Sequence, residues 1–274
     1  MHLRHLFLAA TTGLGLLVLP AGADAARCTI SGTSGDDVLV GTEGPDVICA
    51  GDGDDTITAL GGDDIVYGGA GWDTINGGDG NDTIYLGPDA GAGYGDAGND
   101  RIVGSRNGGY GKFDGGDGDD VLIGLDSGEK DHHDMGDGRF ADNLFYTGAG
   151  DDRVYGSSNA DYIESQLNDG FKRVWARAGD DIVFVLDGRV EGESGDDVIV
   201  VEGVGQGYGG SGNDWLYSGS TEGVAGGGTG ADYVSGLGRL WAGDDDDVDV
   251  LEAADIDVRC GGRSKDVYIG CTRS

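Results

Sequence analysis

Repetition with a period of nine residues is the sequence feature that most restricts how this chain can fold. From Gly32 to Tyr85 the sequence divides into six consecutive blocks: GTSGDDVLV, GTEGPDVIC, AGDGDDTIT, ALGGDDIVY, GGAGWDTIN and GGDGNDTIY. The sixth position of every block is aspartate, and the eighth is aliphatic. Later blocks follow the same pattern at 95–103, 115–123, 156–164, 192–200, 209–217 and 227–235. Self-similarity at a short fixed period predicts a solenoid and not an ordinary globular domain.

The residue types at each position explain what one block does. Glycine recurs at positions one, two and four, where its freedom to adopt a positive φ allows a tight turn. Positions seven to nine are mostly β-branched or aromatic, which favours a short strand. Strand side chains alternate, so position eight points inward. Because one inward residue per block makes a thin core, we predict that two blocks form one coil and that coils stack as parallel sheets.

Aspartates two blocks apart are expected on the same edge of such a solenoid. One edge would carry Asp37, Asp55 and Asp73, and the other Asp46, Asp64, Asp82 and Asp100. Neighbouring coils lie about 4.8 Å apart, so carboxylates and glycine-loop carbonyls would share a cleft whose hard oxygen ligands suit Ca²⁺ better than Mg²⁺. The alternative is that the aspartates only form turns and aid solubility. Stacked carboxylates without a counter-ion would destabilise the coil, which favours calcium.

The pattern resembles the RTX, or haemolysin-type, calcium-binding repeat, G-G-x-G-x-D-x-U-x, in which U is a large aliphatic residue. The resemblance covers nearly all of the chain after residue 25. It implies an all-β fold, a right-handed parallel β-roll (β-solenoid) with about 18 residues per coil, that folds on binding Ca²⁺. We therefore expect Ca²⁺ as the cofactor. The expected metal ligands are the sixth-position aspartates Asp37, Asp46, Asp55, Asp64, Asp73, Asp82, Asp100, Asp120, Asp161, Asp181, Asp197, Asp214 and Asp232.

The repeat becomes irregular after Tyr85. Gly91 and Gly109 stand where aspartate is expected, so one edge loses its ligand. From Asp161 to Asp232, a matching aspartate returns about once per coil, at uneven intervals. We therefore expect the second part of the chain to continue the roll with calcium mainly on one edge.

The chain is predicted to have three parts after residue 25. They are a regular β-roll over 26–123, an irregular loop or distorted coil over 124–136, and a degenerate roll with a C-terminal cap over 137–274. The irregular part contains His132 and His133, and a transition-metal site is one interpretation, since imidazole suits Zn²⁺ or Cu²⁺. Adjacent residues on a strand point to opposite faces, so a solvated polar loop is favoured.

Charge indicates which partners the chain can have. Asp and Glu outnumber Lys and Arg by 51 to 17, a formal net charge of −34. Phosphates are bound by basic surfaces, so nucleic acid is not expected as a partner. Residues 1–25 combine Arg4, a short apolar stretch and an A-x-A site at 23–25, which predicts a cleaved secretory signal peptide. We expect a secreted, extracellular protein without a membrane span, free or held at a cell surface.

Four cysteines, Cys28, Cys49, Cys260 and Cys271, lie near the two ends of the predicted exported chain. An oxidising compartment favours pairing, and four cysteines allow three connectivities. Pairing Cys28 with Cys49 and Cys260 with Cys271 closes the two shortest loops and is favoured. Both bonds would then act as end caps of the solenoid. Relatives of the resembled family usually lack cysteine and carry a C-terminal export signal, so this chain departs from them in both respects.

No motif of an enzyme stands out from the repeats. The chain contains neither H-E-x-x-H nor G-x-S-x-G, and its acidic residues occupy repeat positions. A row of sugar-stacking tryptophans is conceivable, but we expect Trp72, Trp175, Trp215 and Trp241 to pack at the edges over the thin core. We predict a calcium-binding protein with a structural or surface-interaction role, no catalytic residues and no enzymatic activity. The alternative is a lyase or hydrolase that acts on polysaccharide with one face of the roll.

Overall fold

The computed structural model describes eleven stretches of the chain. These are residues 28–89, 91–104, 110–125, 133–134, 140–165, 170–243, 245, 247–253, 259–261, 265–270 and 272–273. Of residues 133, 134, 140, 259, 260, 272 and 273, only the backbone is described. The predicted signal peptide lies outside these stretches and stays a prediction.

Short β-strands make up the secondary structure of the described stretches, and no helix there has the length and apolarity to cross a membrane. The strands are β1 (Ile30–Ser31), β2 (Val38–Val40), β3 (Val47–Asp52), β4 (Thr56–Thr58), β5 (Ile65–Ala70), β6 (Asp73–Asp79), β7 (Thr83–Tyr85), β8 (Gly91–Ala97), β9 (Arg101–Val103), β10 (Gly111–Asp114), β11 (Val121–Ile123), β12 (His133–Asp134), β13 (Phe140–Ala141), β14 (Asn143–Tyr146), β15 (Arg153–Tyr155), β16 (Asp161–Glu164), β17 (Lys172–Trp175), β18 (Ile182–Val185), β19 (Gly188–Ser194), β20 (Val198–Val201), β21 (Gly205–Ser211), β22 (Trp215–Ser218), β23 (Val224–Thr229), β24 (Tyr233–Gly236), β25 (Arg239–Gly243), β26 (Val250–Ala253), β27 (Arg259–Gly261), β28 (Val267–Ile269) and β29 (Thr272–Arg273).

The strands form two long parallel sheets. The odd sheet contains the odd-numbered strands from β1 to β29 except β13, and the even sheet contains the even-numbered strands from β2 to β28 except β12. The chain therefore alternates between the sheets, and each pair of successive strands makes one coil. Strands β12 and β13 pair with each other in an antiparallel manner. The predicted all-β parallel β-roll is confirmed.

Register shows how regular the coils are. In the odd sheet, each inward residue from Ile48 to Ile84 pairs with the residue 18 positions further along the chain, up to Ile102. The hydrogen-bonded aspartates at the edge of these coils are also 18 residues apart. The next coil, from Asp100 to Asp120, takes 20 residues, and the one from Asp120 to Asp152 takes 32. That longest step contains the β12–β13 pair, and the roll resumes after it in the same two sheets. The predicted coil length is thus confirmed in the first part.

The core consists mainly of two columns of inward side chains, one from each sheet. Residues 0–2% exposed form these columns: Ile48, Val66, Ile84, Ile102, Leu122, Val154, Val174, Val190, Ala225 and Leu240 in the odd sheet, and Ile57, Ile75, Phe113, Phe145, Ile163, Val183, Ile199, Leu216, Val234 and Leu251 in the even sheet. The same cluster also includes Ala50, Ala59, Leu86, Ala176, Val185, Val201 and Ala242. Burying one such side chain stabilises the fold by about 1.5–3 kcal/mol, and ordering each residue of a coil costs about 1–2 kcal/mol of backbone entropy. A core this thin gives each coil little stability of its own.

A disulfide closes the first coil. Cys28 and Cys49 are bonded, with their Cα atoms 5.9 Å apart. Cys49 lies on β3, which pairs directly with β1 through Ser31, so the bond ties the first strand of the odd sheet to the second. This half of the predicted pairing is confirmed. Cys271 lies outside the described residues, and its bond to Cys260 stays a prediction.

Candidate metal centre

The sixth-position aspartates form hydrogen-bonded ladders along the two edges of the roll. In each ladder, the backbone N–H of one aspartate donates to Oδ1 of the aspartate in the next coil, over 2.7–3.0 Å. The long ladder, at the edge preceding the odd-sheet strands, consists of Asp46, Asp64, Asp82, Asp100, Asp120 and Asp152. The split ladder, at the other edge, consists of Asp37, Asp55 and Asp73 and, after an interruption, Asp161, Asp181, Asp197, Asp214, Asp232 and Asp249.

The second carboxylate oxygen of most ladder members lacks a hydrogen-bond donor. This Oδ2 atom is buried without a partner in Asp55, Asp64, Asp73, Asp82, Asp100, Asp120, Asp181, Asp197, Asp214 and Asp232. A buried charged oxygen without a partner is costly to the fold. Each of these carboxylates, when ionised, therefore requires a cation beside Oδ2.

A lysine marks where that cation lies. The ammonium of Lys172 is buried and donates to the carbonyl oxygens of Gly148, at 2.9 Å, and Gly150, at 2.6 Å. It also pairs with Oδ2 of Asp152 at 2.6 Å. Gly148, Gly150 and Asp152 are positions two, four and six of their block, so two carbonyls and one carboxylate of a single turn face the same positive charge.

Position two takes an unusual backbone conformation in these turns. The non-glycine residues with positive φ in the described stretches are Leu60, Asp96, Arg177 and Glu193, and all four occupy position two. Non-glycine residues reach this conformation only at a cost of about 1–2 kcal/mol. Four residues of different types adopt the positive φ at position two, so the turn and not the residue type determines this conformation. The conformation fixes the orientation of the position-two carbonyl.

The oxygen atoms around Oδ2 of Asp100 are of the kind that a calcium ion accepts. A Cβ atom on Gly95 would lie 2.3 Å from Oδ2 of Asp100 and 2.3 Å from the carbonyl oxygen of Gly115 in the next coil. Two acceptors from adjacent coils thus crowd position one, and a side chain on Gly95 would clash with both of them. Position one is alanine in three of the other open turns, at Ala50, Ala59 and Ala176. No three His, Cys, Asp or Glu side chains cluster as a metal site within the described stretches, so backbone carbonyls must supply most ligands. Ca²⁺ accepts mixed carbonyl and carboxylate oxygens in such numbers.

Comparison with known families agrees with this geometry. A family model of the RTX calcium-binding nonapeptide repeat matches residues 31–65, 50–84, 94–107, 112–127, 133–171 and 208–221, together half of the chain. The chain belongs to the RTX calcium-binding nonapeptide repeat family. No curated protein sequence matches it. RTX repeats bind calcium, so the match and the open oxygens indicate the same ion.

The thirteen aspartates predicted as ligands of the RTX repeats all lie in the two ladders, and the seven that were assigned to an edge lie on that edge. Two further ladder members, Asp152 and Asp249, were missed. Asp152 was detectable, because Gly148, Gly150 and Asp152 fit the RTX pattern, but the long step from Asp120 places their block out of phase. Asp249 was hidden by the acidic run that precedes it.

The interruption of the split ladder differs in detail from the prediction. Gly91 does replace aspartate, in register with Asp73. The next register position is Gly111, whereas the predicted Gly109 lies outside the described residues. The position after that is Asn143, whose side-chain N–H donates to Oδ1 of Asp161 at 2.7 Å.

Three predicted ligands, at the starts of ladder segments, differ from the rest. Oδ2 of Asp37, Asp46 and Asp161 accepts a backbone N–H from Thr33, Thr42 and Ser157, respectively, at 2.6–2.7 Å. The donor is position two of the same block, and its N–H takes the place of the cation that the other turns require. These three aspartates support the roll through their ladder N–H. None of the three has an open Oδ2.

The tryptophans lie on the outer surface, which corrects the prediction that they pack over the core. Trp72 stacks on Tyr110, Trp175 on Tyr155, and Trp215 on Tyr233, with ring centroids 4.8–6.3 Å apart. Trp72, Trp215 and Trp241 remain 40–46% exposed. Trp175 and Trp215 are at positions nine and seven, which point outward from a strand, and each stacks on a ring of the neighbouring coil. Trp72 is at position five, just before β6, and its partner lies two coils away. His132 lies outside the described residues, and of His133 only the backbone in β12 is described.

Burial raises the pKa of the ladder carboxyls when no cation is bound. Removal from water raises the pKa of Asp82 to about 6, of Asp100 to about 7 and of Asp120 to about 8. The N–H bond from the preceding ladder member lowers each pKa in part, and the neighbouring carboxylates raise it again. A ladder without calcium therefore holds protons near neutral pH.

Acidification is expected to stabilise the calcium-free protein. An unfolded aspartate has a pKa of about 3.9, so between that value and about 8 the folded ladder binds more protons, and its stability falls as pH rises. Calcium-depleted protein should gain β structure as the pH is lowered from about 8 to about 5, by circular dichroism. Calcium affinity should change in the opposite sense, because protons compete for Oδ2. A calcium-free spectrum that does not change over this range would contradict the burial of the carboxyls.

Replacing Lys172 is expected to destabilise the calcium-free roll and to create an additional calcium position. Lys172→Ala removes one partner of a buried ion pair, which costs about 3–5 kcal/mol, and leaves the Gly148 and Gly150 carbonyls open. Calcium titration should then show one more bound ion than in the parent. Lys112→Ala is the matched control, because its ammonium lies near the Tyr94 hydroxyl at 3.3 Å, away from both ladders. Equal effects of the two substitutions would show that Lys172 does not replace a calcium ion.

Proposed function

We propose that this RTX protein is exported and folds on binding a series of calcium ions, and that it serves a structural or surface-interaction role without catalysis. The observation that carries the proposal is the run of ten buried aspartates with an open Oδ2. Each needs a cation, and the thin core makes the coils depend on it. Metal binding would then supply much of the folding free energy.

Each ion would take ligands from the glycine turn and its aspartate. The contacts of Lys172 point to the position-two carbonyl, the position-four carbonyl and Oδ2 of position six. The next coil would add its first-position carbonyl, as the Asp100 and Gly115 oxygens do around Gly95. Such a site shares ligands between coils, so calcium would join each coil to the next.

Two observations support export and one supports a non-enzymatic role. Residues 1–25 have the composition of a signal peptide, and the Cys28–Cys49 bond suits an oxidising compartment. Apart from Asp142, the buried aspartates of the described stretches are engaged in the ladders, which leaves no separate buried carboxylate pair for acid–base work among them.

Direct calcium binding tests the proposal. Residues 26–274, titrated calorimetrically, should bind several ions at about 10⁻⁴–10⁻³ M, the range of extracellular modules. The number should approach the ten open oxygens. Mg²⁺ at the same concentration is the control and should bind far more weakly, because it requires a tighter octahedron. Binding of only one ion, or equal binding of Mg²⁺, would contradict the proposal.

A further inference from the structure

Arginines form a row on the outer face of the odd sheet. Arg153, Arg173 and Arg189 lie in register on three successive strands of that sheet. After Gln206 and Val224, Arg239 returns at the same register position, and the backbone of Arg259 follows. We call these five positions the arginine row. Strands lie about 4.8 Å apart, so the row extends over roughly 30 Å.

The row is basic in a strongly acidic protein. The outward residues beside it, from β15 to β25, are Tyr155, Trp175, Glu191, Tyr208, Gly226 and Trp241. Glu191 is the one acid among them, and it pairs with Arg189 at 2.5 Å. The side chains of Arg153 and Arg239 are exposed. The chain as a whole has a net charge of −34, whereas the exposed side chains of this face are mainly positively charged.

The long ladder ends where the row begins. At the register position of its aspartates, the strands after β15 carry Lys172, Gly188 and Gly205. The edge next to the arginines therefore loses its ladder carboxylates over the same coils, and Asp187 is a carboxylate that remains there, bonded to the Val204 N–H. Because charges more than about 10 Å apart are screened at physiological salt, an anion on this face would be little affected by the split ladder at the opposite edge.

A groove interrupts the column of rings beside the row. It has a volume of about 770 Å³ and is lined by Tyr208, Trp241, Arg239 and glycines that include Gly226. Tyr155 and Trp175 cover each other's faces at 4.8 Å. Tyr208 and Trp241 instead lie two strands apart, with Gly226 between them. The ring of Tyr208 leans over Gly226, where a Cβ would lie 3.3 Å from it. The open part of the groove, beside Trp241 and Arg239, has room for one ring of a ligand.

We propose that this face binds an acidic polysaccharide, with one sugar ring in the groove and carboxylate or sulfate groups on the arginine row. Arginine binds such anions through paired hydrogen bonds, and an extended row suits a polymer with regularly spaced charges. A nucleic acid strand is disfavoured, because it would need stacking platforms for successive bases and this groove accommodates one ring. The inference rests on the proposed function, since the face exists only in the folded roll.

Two dextrans that differ only in charge provide the first test. Calcium-loaded protein covering residues 26–274 should bind dextran sulfate in affinity electrophoresis, more weakly at higher salt. Uncharged dextran should not retard it. A single-stranded oligothymidylate is included as a third probe. Equal binding of both dextrans, or tighter binding of the oligonucleotide, would overturn the proposal.

Paired charge removal provides the second test. Arg153→Gln together with Arg239→Gln should weaken dextran sulfate binding on the order of tenfold or more, since each cation near an anionic surface contributes about 1 kcal/mol. Lys112→Gln together with Lys265→Gln removes the same charge elsewhere and should have a much smaller effect. Equal losses would mean that only net charge matters, and no loss would refute the row as the site.

Calcium titration of the same variants separates this inference from the proposed function. Neither pair touches a ladder carboxylate, so both variants should bind calcium as the parent does. Normal calcium-coupled folding without dextran sulfate binding would refute the polysaccharide face alone. Loss of calcium binding by the parent itself would refute the proposed function. Trp241→Ala should lower affinity for dextran sulfate without changing the salt dependence, because it removes a stacking ring and no charge.

Discussion

Removal of calcium is expected to unfold most of the roll at neutral pH. Without the ion, ten buried Oδ2 atoms have no partner, and the ladders bring their carboxylates within one coil of each other. The core is thin, since most of it is two columns of side chains, and it cannot offset repulsion in a chain of net charge −34. We expect loss of most β signal and an expansion toward the unfolded radius.

Circular dichroism and light scattering before and after chelation measure this effect. Both signals should return when Ca²⁺ is added back, and the transition should be steep, because adjacent sites share ligands. Mg²⁺ in place of Ca²⁺ should restore little. A protein that keeps its β signal and its radius in excess chelator at neutral pH would show that calcium does not organise the fold.

Asp64→Asn is expected to impair calcium binding far more than Asp46→Asn. Both residues belong to the long ladder and lie one coil apart, and both take part in ladder bonds. Oδ2 of Asp64 is open, whereas Oδ2 of Asp46 accepts bonds from Thr42. Neutralising Asp64 removes a charged ligand and should cost about 3 kcal/mol in the calcium-bound state, as for one partner of a buried ion pair. Asp46→Asn loses a hydrogen bond, worth about 1 kcal/mol.

Calcium stoichiometry distinguishes the two effects better than stability does. The Asp64 variant should bind fewer ions than the parent and require more calcium to fold, and the Asp46 variant should keep the stoichiometry of the parent. Asp37→Asn, at the start of the split ladder with Oδ2 held by Thr33, should behave like Asp46→Asn. Equal stoichiometry in the three variants would mean that the open oxygens are not the calcium ligands.

Register explains which parts of this site were predictable. Between Gly32 and Tyr85 the period is constant, so counting in steps of 18 residues is enough to assign each aspartate to an edge. The long step from Asp120 to Asp152 does not follow this spacing, so Asp152 was not predicted although its own block fits the pattern. Coil length is set by turns and insertions, which a fixed period cannot anticipate.

Other features depend on contacts between coils and have no local signal. Lys172 resembles any solvated lysine in the sequence, and only the fold places its ammonium on the carbonyls of the preceding coil. The arginine row is likewise invisible along the chain, because its members are at least a coil apart in sequence and meet only through strand register. Threonine or serine at position two, by contrast, does distinguish the closed turns and could have been recognised.

The N–H to Oδ1 bonds give each ladder a polarity, because every coil donates to the carboxylate of the coil that follows it. A growing end of the roll therefore always presents free N–H donors to the next segment of chain. The end with the Cys28–Cys49 bond is the one made first and is already closed covalently. A chain that emerges from a membrane pore with its N-terminus first would meet external calcium one coil at a time, and each finished coil would template the next. If the chain is exported as proposed, the calcium gradient across the membrane would act on translocation itself, because every coil that folds outside would prevent the chain from sliding back.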